Sequence, residues 1–234
     1  MVDPLQRPAF IFDLDGTLVD SVYQHVLAWR QALEASGIAL DVWRIHRRIG
    51  MSGGLFVSAL LREIGHDLGP EETRKIAKLH GDYFVPLASQ VRPLAGAIEL
   101  LAELTRLDVP WAIATSGHMR SAGPSLKMLG VLDGPNPIIT RDLVKHAKPD
   151  PDLFIAAADK LGVHVSNCMV VGDSIWDLLA AQRARALGIG LLSGGYGADE
   201  LRRAGAYRVY TDPRDLLHHL DEVGARSPDE APET

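Results

Sequence analysis

The sequence predicts an α/β protein in which a parallel β-sheet has helices on both faces and a purely helical segment is inserted near the N-terminus. From about residue 92 onward, short apolar runs alternate with longer amphipathic segments, a pattern typical of a parallel sheet covered on both faces. Between residues 21 and 89, four apolar-periodic segments separated by glycine-rich turns indicate helices without strands. The apolar run Ala9–Phe12 precedes this helical segment, and we expect it to join the later strands in one sheet.

The individual elements follow from the length of each apolar run and from the glycine and proline residues that bound it. The predicted strands are Ala9–Phe12, Pro110–Ala114, Ile138–Thr140, Cys168–Val171, Gly188–Leu192 and Tyr207–Tyr210. The predicted helices are Val22–Ser36, Val42–Arg47, Gly54–Ile64, Glu71–Leu87, Gly96–Leu107, Arg120–Leu129, Pro151–Leu161 and Ile175–Arg185.

The helical segment divides the chain into a core and a cap. We expect residues 1–17 and 92–223 to form the core and residues 18–91 to form the cap. Two linkers, Leu18–Val19 and Val91–Pro93, join them and are predicted to act as hinges for cap closure.

Composition and charge limit the classes of partner. The chain has 234 residues, a net charge of −6 and one cysteine, Cys168. The negative charge gives no general attraction to nucleic acid or to anionic membranes, and no apolar run approaches the roughly 20 residues that span a bilayer. Because a lone cysteine forms no internal disulfide and the N-terminus lacks a signal-peptide pattern, we predict a cytoplasmic protein. The polar segment 224–234 is expected to be disordered.

Chemically reactive side chains follow four of the predicted strands. Ligands of parallel sheets bind outside the carboxyl ends of the strands, so these residues are expected to meet at one edge of the sheet. The residues are Asp13, Asp15, Thr115, Ser116, Lys148 and Asp173.

Two aspartates end the first strand. Asp13 and Asp15 alternate with Leu14, so an extended chain directs both carboxylates to one side. Two carboxylates so close repel each other unless they share a cation, and Mg²⁺ is a natural partner for them. An acidic turn without a metal is the alternative, because Asp-Gly is a common turn dipeptide.

A second acidic pair stands in the segment VVGDSIWDLLAA. Asp173 ends a strand, and Asp177 follows four residues later, which places the two on one helix face. In one interpretation, Asp173, Asp177 or both complete a metal site with Asp13. In the other, Asp173 or Ser174 caps the helix and Asp177 is a surface residue.

Four segments in this order resemble the motifs of the haloacid dehalogenase superfamily: FDLDGTLVDS, ATSG, KPDPDLF and VVGDSIWDLLAA. The helical insertion after the first motif is similar to the small cap of the branch that contains phosphoglycolate phosphatases and β-phosphoglucomutases. The resemblance extends to about Leu220 and implies a Rossmann-like core.

The resemblance implies a role for each acidic residue. Asp13 would attack phosphorus and become an aspartyl phosphate. Asp15 would protonate the leaving alcohol and then deprotonate the hydrolytic water. Asp13, the backbone carbonyl of Asp15 and Asp173 would hold Mg²⁺, with Asp177 supporting the metal directly or through water.

The remaining motifs imply phosphate-binding groups. The Thr115 hydroxyl and the Ser116 amide would contact phosphate oxygens, although a small polar residue that merely closes a strand is the alternative for Thr115. Lys148 would neutralise the developing charge and hold Asp13 in place, with Lys145 as the competing candidate.

The cap contains a segment, residues 47–54, at the position where family members carry a substrate-binding loop. Its arginines and glycine amides are expected to meet a second anionic group on the substrate. Alternatively, the glycines join two helices and the arginines face solvent. The candidate substrate residues are Arg47, Arg48, Gly50 and Ser52.

The predicted function is hydrolysis of phosphoric monoesters of small metabolites, as in phosphoglycolate phosphatases, by a monomer or homodimer. A β-phosphoglucomutase is the main alternative, although such mutases carry Lys and Arg where this chain has Ile49 and Gly53. Asp15 argues against a dehalogenase, and the absence of any lysine before Lys75 argues against a phosphonate hydrolase. A non-catalytic binding protein is the alternative from another class, but the chain keeps every motif residue.

Overall fold

A computed structural model describes residues 8–225 of this chain, except residues 64, 66 and 67. The N-terminal residues 1–7 and most of the segment predicted to be disordered, from residue 226 onward, lie outside the described residues. Ile64, the predicted end of the third cap helix, also lies outside them.

The core is a six-stranded sheet in which every pair of neighbouring strands is parallel, with the spatial order β5-β4-β1-β6-β7-β8. This confirms the predicted parallel α/β sheet. The strands are β1 Ala9–Phe12, β4 Trp111–Ala114, β5 Ile138–Ile139, β6 Cys168–Gly172, β7 Leu187–Leu191 and β8 Ala206–Tyr210.

The central strand β1 shows why the sheet forms. All four of its residues are buried, because helices cover both faces. Phe10 and Phe12 pack into one hydrophobic cluster, whereas Ala9 and Ile11 pack into another on the opposite face. Burial of each phenylalanine contributes roughly 1.5–3 kcal/mol.

Helices connect successive strands and supply the two outer layers. Leucines of the helix before β4 pack against Phe10 and Phe12, and the helix before β6 packs against Ile11 on the other face. The short helices 198–203 and 213–218 were not predicted from the sequence. The core helices are α5 Ala97–Arg106, α6 Met119–Met128, α7 Asp152–Leu161, α8 Ile175–Ala184, α9 Ala198–Arg203 and α10 Pro213–His218.

The inserted region is helical, as predicted, and has a hydrophobic core of its own. Trp29 stacks on Phe56 with 4.1 Å between ring centroids, and Ile45, Leu60 and Ile76 pack around them. Its helices are α1 Val22–Glu34, α2 Val42–His46, α3 Gly53–Glu63 and α4 Pro70–Leu87.

The two linkers between cap and core are paired with each other. Val19 and Asp20 (strand β2) form a short antiparallel ladder with Arg92 and Pro93 (strand β3). The amide of Leu94 also donates a hydrogen bond of 2.9 Å to the carbonyl of Leu18. Both predicted hinges are therefore joined side by side, so that a cap motion would bend them together.

Among the helices described, none combines the length and the apolar character that crossing a bilayer requires. Cys168 is buried in β6, and burial raises the pKa of its thiol to about 11. The thiol is thus held in its unreactive protonated form.

Candidate active site

The polar residues predicted at the strand ends meet at one edge of the sheet. β1 lies between β4 and β6, and all three run in the same direction. Asp13 therefore emerges between Thr115, which follows β4, and Asp173, which follows β6. The amide of Asp13 still donates to the Val171 carbonyl at 2.9 Å, so the ladder holds the backbone of Asp13 in place.

Three carboxylates converge at this edge. Asp13, Asp173 and Asp177 each offer one oxygen, and the three oxygens lie within 4.8 Å of one another. All three residues are buried, Asp177 completely. The interpretation of Asp177 as a surface residue is therefore wrong, because the first turn of α8 directs this side chain inward. An all-oxygen set of this kind fits a hard divalent cation such as Mg²⁺.

Local structure fixes the two acidic residues around α8. Ser174 precedes the helix as its N-cap, and its amide and hydroxyl donate to Asp177 Oδ2 at 3.1 and 2.5 Å. Thr17 donates from its hydroxyl to Asp173 Oδ1 at 2.9 Å. Gly194 lies so close that a Cβ there would come within 1.8 Å of Asp173 Oδ2, so only glycine fits. The carboxylate of Asp173 is thus held between two loops.

Lys148 is the buried cation of the site. Its side chain has no exposed surface, and its ammonium group forms ion pairs with Asp13 Oδ1 and, at 2.7 Å, with Asp177 Oδ1. The ring of Phe154 lies 5.6 Å from the ammonium nitrogen. Lys145, the competing candidate, is exposed.

The charges at the site do not balance without a further cation. Burial, reinforced by the charge of Asp177, raises the pKa of Asp13 to about 7 although Lys148 acts in the opposite direction. Burial and the charges of Asp177 and Asp13 raise the pKa of Asp173 well above its ordinary value. Burial opposes the ammonium form of Lys148, but Asp13 and Asp177 raise its pKa nonetheless. A divalent cation among the carboxylates would relieve this repulsion.

Asp15 has a different environment from Asp13. Its Oδ1 accepts a hydrogen bond of 2.6 Å from the Ser21 hydroxyl and lies 3.2 Å from His25 Nε2. Burial would raise the pKa of Asp15, but His25 and Ser21 outweigh burial and lower it. The two aspartates of one motif therefore have pKa values shifted in opposite directions, which is typical of a division of acid–base roles.

The partners of Asp15 were not identified from the sequence. His25 stacks on Phe84 with 3.9 Å between centroids, and its Nδ1 lies 3.1 Å from His80 Nε2. His80 in turn stacks on Trp29 at 4.0 Å, and burial together with His25 lowers its pKa well below the ordinary value. Ser21 and His25 lie four residues apart at the start of α1, a spacing that points to a shared helix face. No such signal identifies His80, which comes from α4.

A cavity of about 770 Å³ lies between the cap and the core and opens onto these residues. Asp13, Asp15, Thr115 and Ser116 line its core side, and Arg48 and Gly50 line its cap side. Thr115 is buried, and its hydroxyl oxygen accepts from the amide of Gly117 at 2.9 Å. Asp13, Asp15, Thr115 and part of the cap loop therefore face one space, whereas Lys148 is fully buried and does not line it.

The cap loop binds the core at two of the residues predicted to bind phosphate, Ser116 and Lys148. The Ser116 hydroxyl donates to the Gly50 carbonyl at 3.0 Å, and the Ser52 amide donates to the Lys148 carbonyl at 3.2 Å. Gly50 has a φ of +95°, and a Cβ there would come within 2.7 Å of Ser174 Oγ. The loop can therefore approach α8 only because residue 50 is glycine. Ser52 itself lines a smaller neighbouring cavity.

Arg47 points away from the main cavity and joins the cap to the core. Its guanidinium pairs with Glu200 and lies 4.2 Å from the centroid of the Tyr196 ring. Its carbonyl accepts from the Tyr196 hydroxyl at 2.7 Å and from the Trp176 indole at 3.3 Å. The loop of residues 194–197 therefore contacts both Asp173 and the cap.

Comparison with known proteins supports the family that the four sequence motifs resemble. Residues 8–185 match the family model described as haloacid dehalogenase-like hydrolase. Hexitol phosphatase A of Escherichia coli strain K12 is 34% identical over 171 residues, which cover 70% of this chain and 74% of that protein. β-Phosphoglucomutase of Bacillus subtilis strain 168 is 29% identical over 192 residues, covering 80% of this chain and 84% of that protein. The crystal structure of a hydrolase from Pseudomonas syringae is similar with a TM-score of 0.91 and 52% identity, covering 93% of this chain and 100% of that one.

Proposed function

Since the chain belongs to the haloacid dehalogenase-like hydrolases, in the branch that includes phosphoglycolate phosphatases and β-phosphoglucomutases, we propose that it is a Mg²⁺-dependent phosphatase of small phosphorylated metabolites. The observation that carries the proposal is the group of three buried carboxylates around Lys148, at the end of the central strand. Hexitol phosphatase A, one of its relatives, is a phosphatase by name and supports this reaction class.

The first half of the reaction is assigned to Asp13 and Asp15. A carboxylate oxygen of Asp13 attacks phosphorus, and the bond from phosphorus to the alcohol oxygen breaks. Asp15 gives its proton to that oxygen. The lowered pKa of Asp15 in the free protein is compatible with this role because an incoming phosphate anion disfavours the charged carboxylate and raises its pKa.

The second half returns the enzyme to its starting state. Asp15, now ionised and hydrogen-bonded to Ser21, accepts a proton from water, and the hydroxide attacks the phosphorus of aspartyl phosphate. The bond between phosphorus and the Asp13 oxygen then breaks and phosphate is released. Ser21 and His25 keep the Asp15 carboxylate in one place through both steps.

Phosphate binding is assigned to Thr115, Ser116 and Lys148. Thr115 and Ser116 line the cavity beside Asp13, and the ammonium group of Lys148 contacts Asp13 directly. Asp13, the backbone carbonyl of Asp15, Asp173 and Asp177 would hold Mg²⁺. When bound, the metal supplies positive charge that offsets the repulsion between nucleophile and phosphate.

The four cap-loop residues divide into two groups. Arg48 and Gly50 line the cavity, and we propose that they contact the substrate. Arg47 and Ser52 contact the core instead, and we propose that they hold the loop closed over the phosphate site.

Metal removal tests the proposed reaction. Treatment with EDTA is expected to abolish phosphate release from a panel of phosphorylated metabolites, and added Mg²⁺ should restore it. Because the metal binds mainly the folded protein, Mg²⁺ at about 100 times its Kd should also stabilise the fold by about 2.7 kcal/mol, measured by thermal unfolding. NaCl at the same ionic strength is the control. Phosphate release that persists in EDTA would contradict the proposed dependence on Mg²⁺.

The contact between Arg47 and Glu200 gives a second test. Glu200→Gln removes the charge but keeps the hydrogen bond from the Gly197 amide, so α9 should remain capped. The pair is partly exposed, so its loss should raise KM by up to about fivefold with little change in kcat. Steady-state phosphate release measures both constants. Asp199→Asn, next to Glu200 and exposed, is the matched control, and an equal effect of both variants would count against the closing role.

A β-phosphoglucomutase-like activity is the second candidate, because such a mutase is among the relatives. In that case Asp13 would still be phosphorylated, but a second sugar hydroxyl rather than water would accept the phosphoryl group. Conversion of glucose 1-phosphate to glucose 6-phosphate without release of phosphate would favour this candidate over hydrolysis.

A further inference from the structure

One face of helix α4 lines the outer part of the main cavity. Its residues that line the cavity are Arg74, Ala77, Lys78, His80 and Gly81, and all of them except His80 follow a spacing of three, one and three residues. This spacing places them on one side of the helix. The face therefore presents two positive side chains to the cavity, one turn apart.

These two cations have no acidic partner among the residues that the structure describes. Two other arginines of the cavity lining have acidic partners: Arg120 pairs with Asp82 at 2.8 Å, and Arg48 pairs with Glu63. His118 lies 2.6 Å from Asp142. Asp82 is the acidic residue one turn after Lys78 on the same helix. Because Asp82 pairs with Arg120, it does not serve as a partner of Lys78. Within the described chain, neither Arg74 nor Lys78 forms an ion pair.

A third uncompensated cation faces the same cavity from the core. The guanidinium of Arg141 donates to the carbonyls of Val144 and Lys145 at 2.6 and 3.2 Å. These neutral acceptors orient the group without cancelling its charge, and no carboxylate of the described residues contacts it. Arg141 therefore adds to the positive potential of the cavity.

Such a cluster is unexpected in a chain with a net charge of −6. Like charges one turn apart make an unfavourable contribution to the stability of a helix. A bound anion would reverse the sign of that contribution, and arginine and lysine form strong charge-assisted hydrogen bonds with phosphate and carboxylate. We propose that Arg74 and Lys78 bind a second anionic group of the substrate, at the end opposite to the phosphate that is cleaved.

The position of the cluster defines the substrate class. His80 is linked to the catalytic end of the cavity through His25 and Asp15. Arg74 precedes His80 by six residues, which is about 9 Å along the helix axis. Lys78 lies only about 3 Å from His80 along the same axis, so a substrate that reaches as far as Arg74 must be longer than a two-carbon phosphorylated acid. The inferred substrates are phosphorylated compounds of about sugar length that carry a phosphate or carboxylate at the far end.

Paired substrates test this inference, which rests on the proposed phosphatase function. Sorbitol 6-phosphate and 6-phosphogluconate are both open-chain compounds, and they differ at the far carbon, which carries a neutral hydroxymethyl group in the first and a carboxylate in the second. We expect the wild type to prefer 6-phosphogluconate by about tenfold or more in kcat/KM, since one charge-assisted contact contributes at least that factor. The double variant R74Q/K78Q should lose this preference. Lys75→Gln, on the same helix but outside the cavity lining, should keep it.

Binding measurements separate the two proposals. In Asp13→Asn, titration calorimetry with 6-phosphogluconate should show an affinity that falls about tenfold when Arg74 and Lys78 are also replaced. This result would support the anion-binding cluster even if the wild type released no phosphate. Absence of phosphate release would overturn only the proposed phosphatase activity. Equal affinities with and without the two cations, or the same loss with Lys75→Gln, would overturn the cluster as an anion site. Melting temperatures of the variants verify that they are folded.

Discussion

Replacement of Asp13 by asparagine is expected to reduce phosphate release by about 10⁴-fold or more, because it removes the nucleophilic oxygen anion at nearly constant volume. The variant should keep its fold. Burial raises the pKa of Asp13 to about 7, so the ionised carboxylate is costly in the metal-free protein and a neutral amide should not lower the melting temperature. Lys148 would retain its ion pair with Asp177. Single-turnover phosphate release and thermal unfolding measure the two effects separately.

Asp20→Asn is the matched control for this variant. Asp20 belongs to the same motif, but it is exposed and pairs with Arg92 only through the strand backbone. We expect its rate to stay within about twofold of the wild type, as is usual for surface substitutions. A wild-type rate in Asp13→Asn, or an equal loss in both variants, would contradict the assignment of Asp13 as the nucleophile.

The sheet was predictable from the sequence for a simple physical reason. Strands covered on both faces consist of continuous apolar runs, so Ala9–Phe12 and Cys168–Gly172 stand out between polar segments. Their parallel direction follows from the helices between them. The β2–β3 ladder has only two residues on each side, and such a short element leaves no periodic pattern in the sequence.

The site was predictable to the extent that topology determines it. The carboxyl ends of neighbouring parallel strands must meet, so Asp13, Thr115 and Asp173 had to converge. The direction of Asp177 was open, because a spacing of four residues fits both an inward and an outward side chain. Its contacts with Ser174 and Lys148 decide the matter, and they arise only when the loop carrying Lys148 packs against α8.

The cap residues were harder to predict because their neighbours come from distant parts of the chain. The sequence placed Arg47 near the site, but the direction of its side chain depends on Tyr196 and Glu200. In the same way, His80 reaches Asp15 only through His25 on another helix. Contacts between two domains are set by their packing, and no local pattern encodes them.

Replacement of Lys148 by methionine is expected to affect both stability and activity. The ammonium group is the buried cation between Asp13 and Asp177. Without it, the carboxylates lose their compensating charge, and we expect the metal-free protein to lose about 3–5 kcal/mol of unfolding free energy. Mg²⁺ should restore part of this loss because it supplies positive charge to the same carboxylates. Phosphate release should stay low even with Mg²⁺, since the cation proposed to stabilise the transferring phosphoryl group is gone.

Two further variants test whether the effect of Lys148→Met is specific to this position and whether a positive charge there is sufficient. Lys145→Met, an exposed neighbour, should leave both stability and rate unchanged within error. Lys148→Arg keeps the charge, but its larger planar group does not fit a fully buried space between two carboxylates, so it should not restore the rate. Thermal unfolding with and without Mg²⁺, together with phosphate release, tests all three. If Lys148→Met unfolds at the wild-type temperature without metal, then the three carboxylates do not need a buried cation, and the charge argument for the whole site fails.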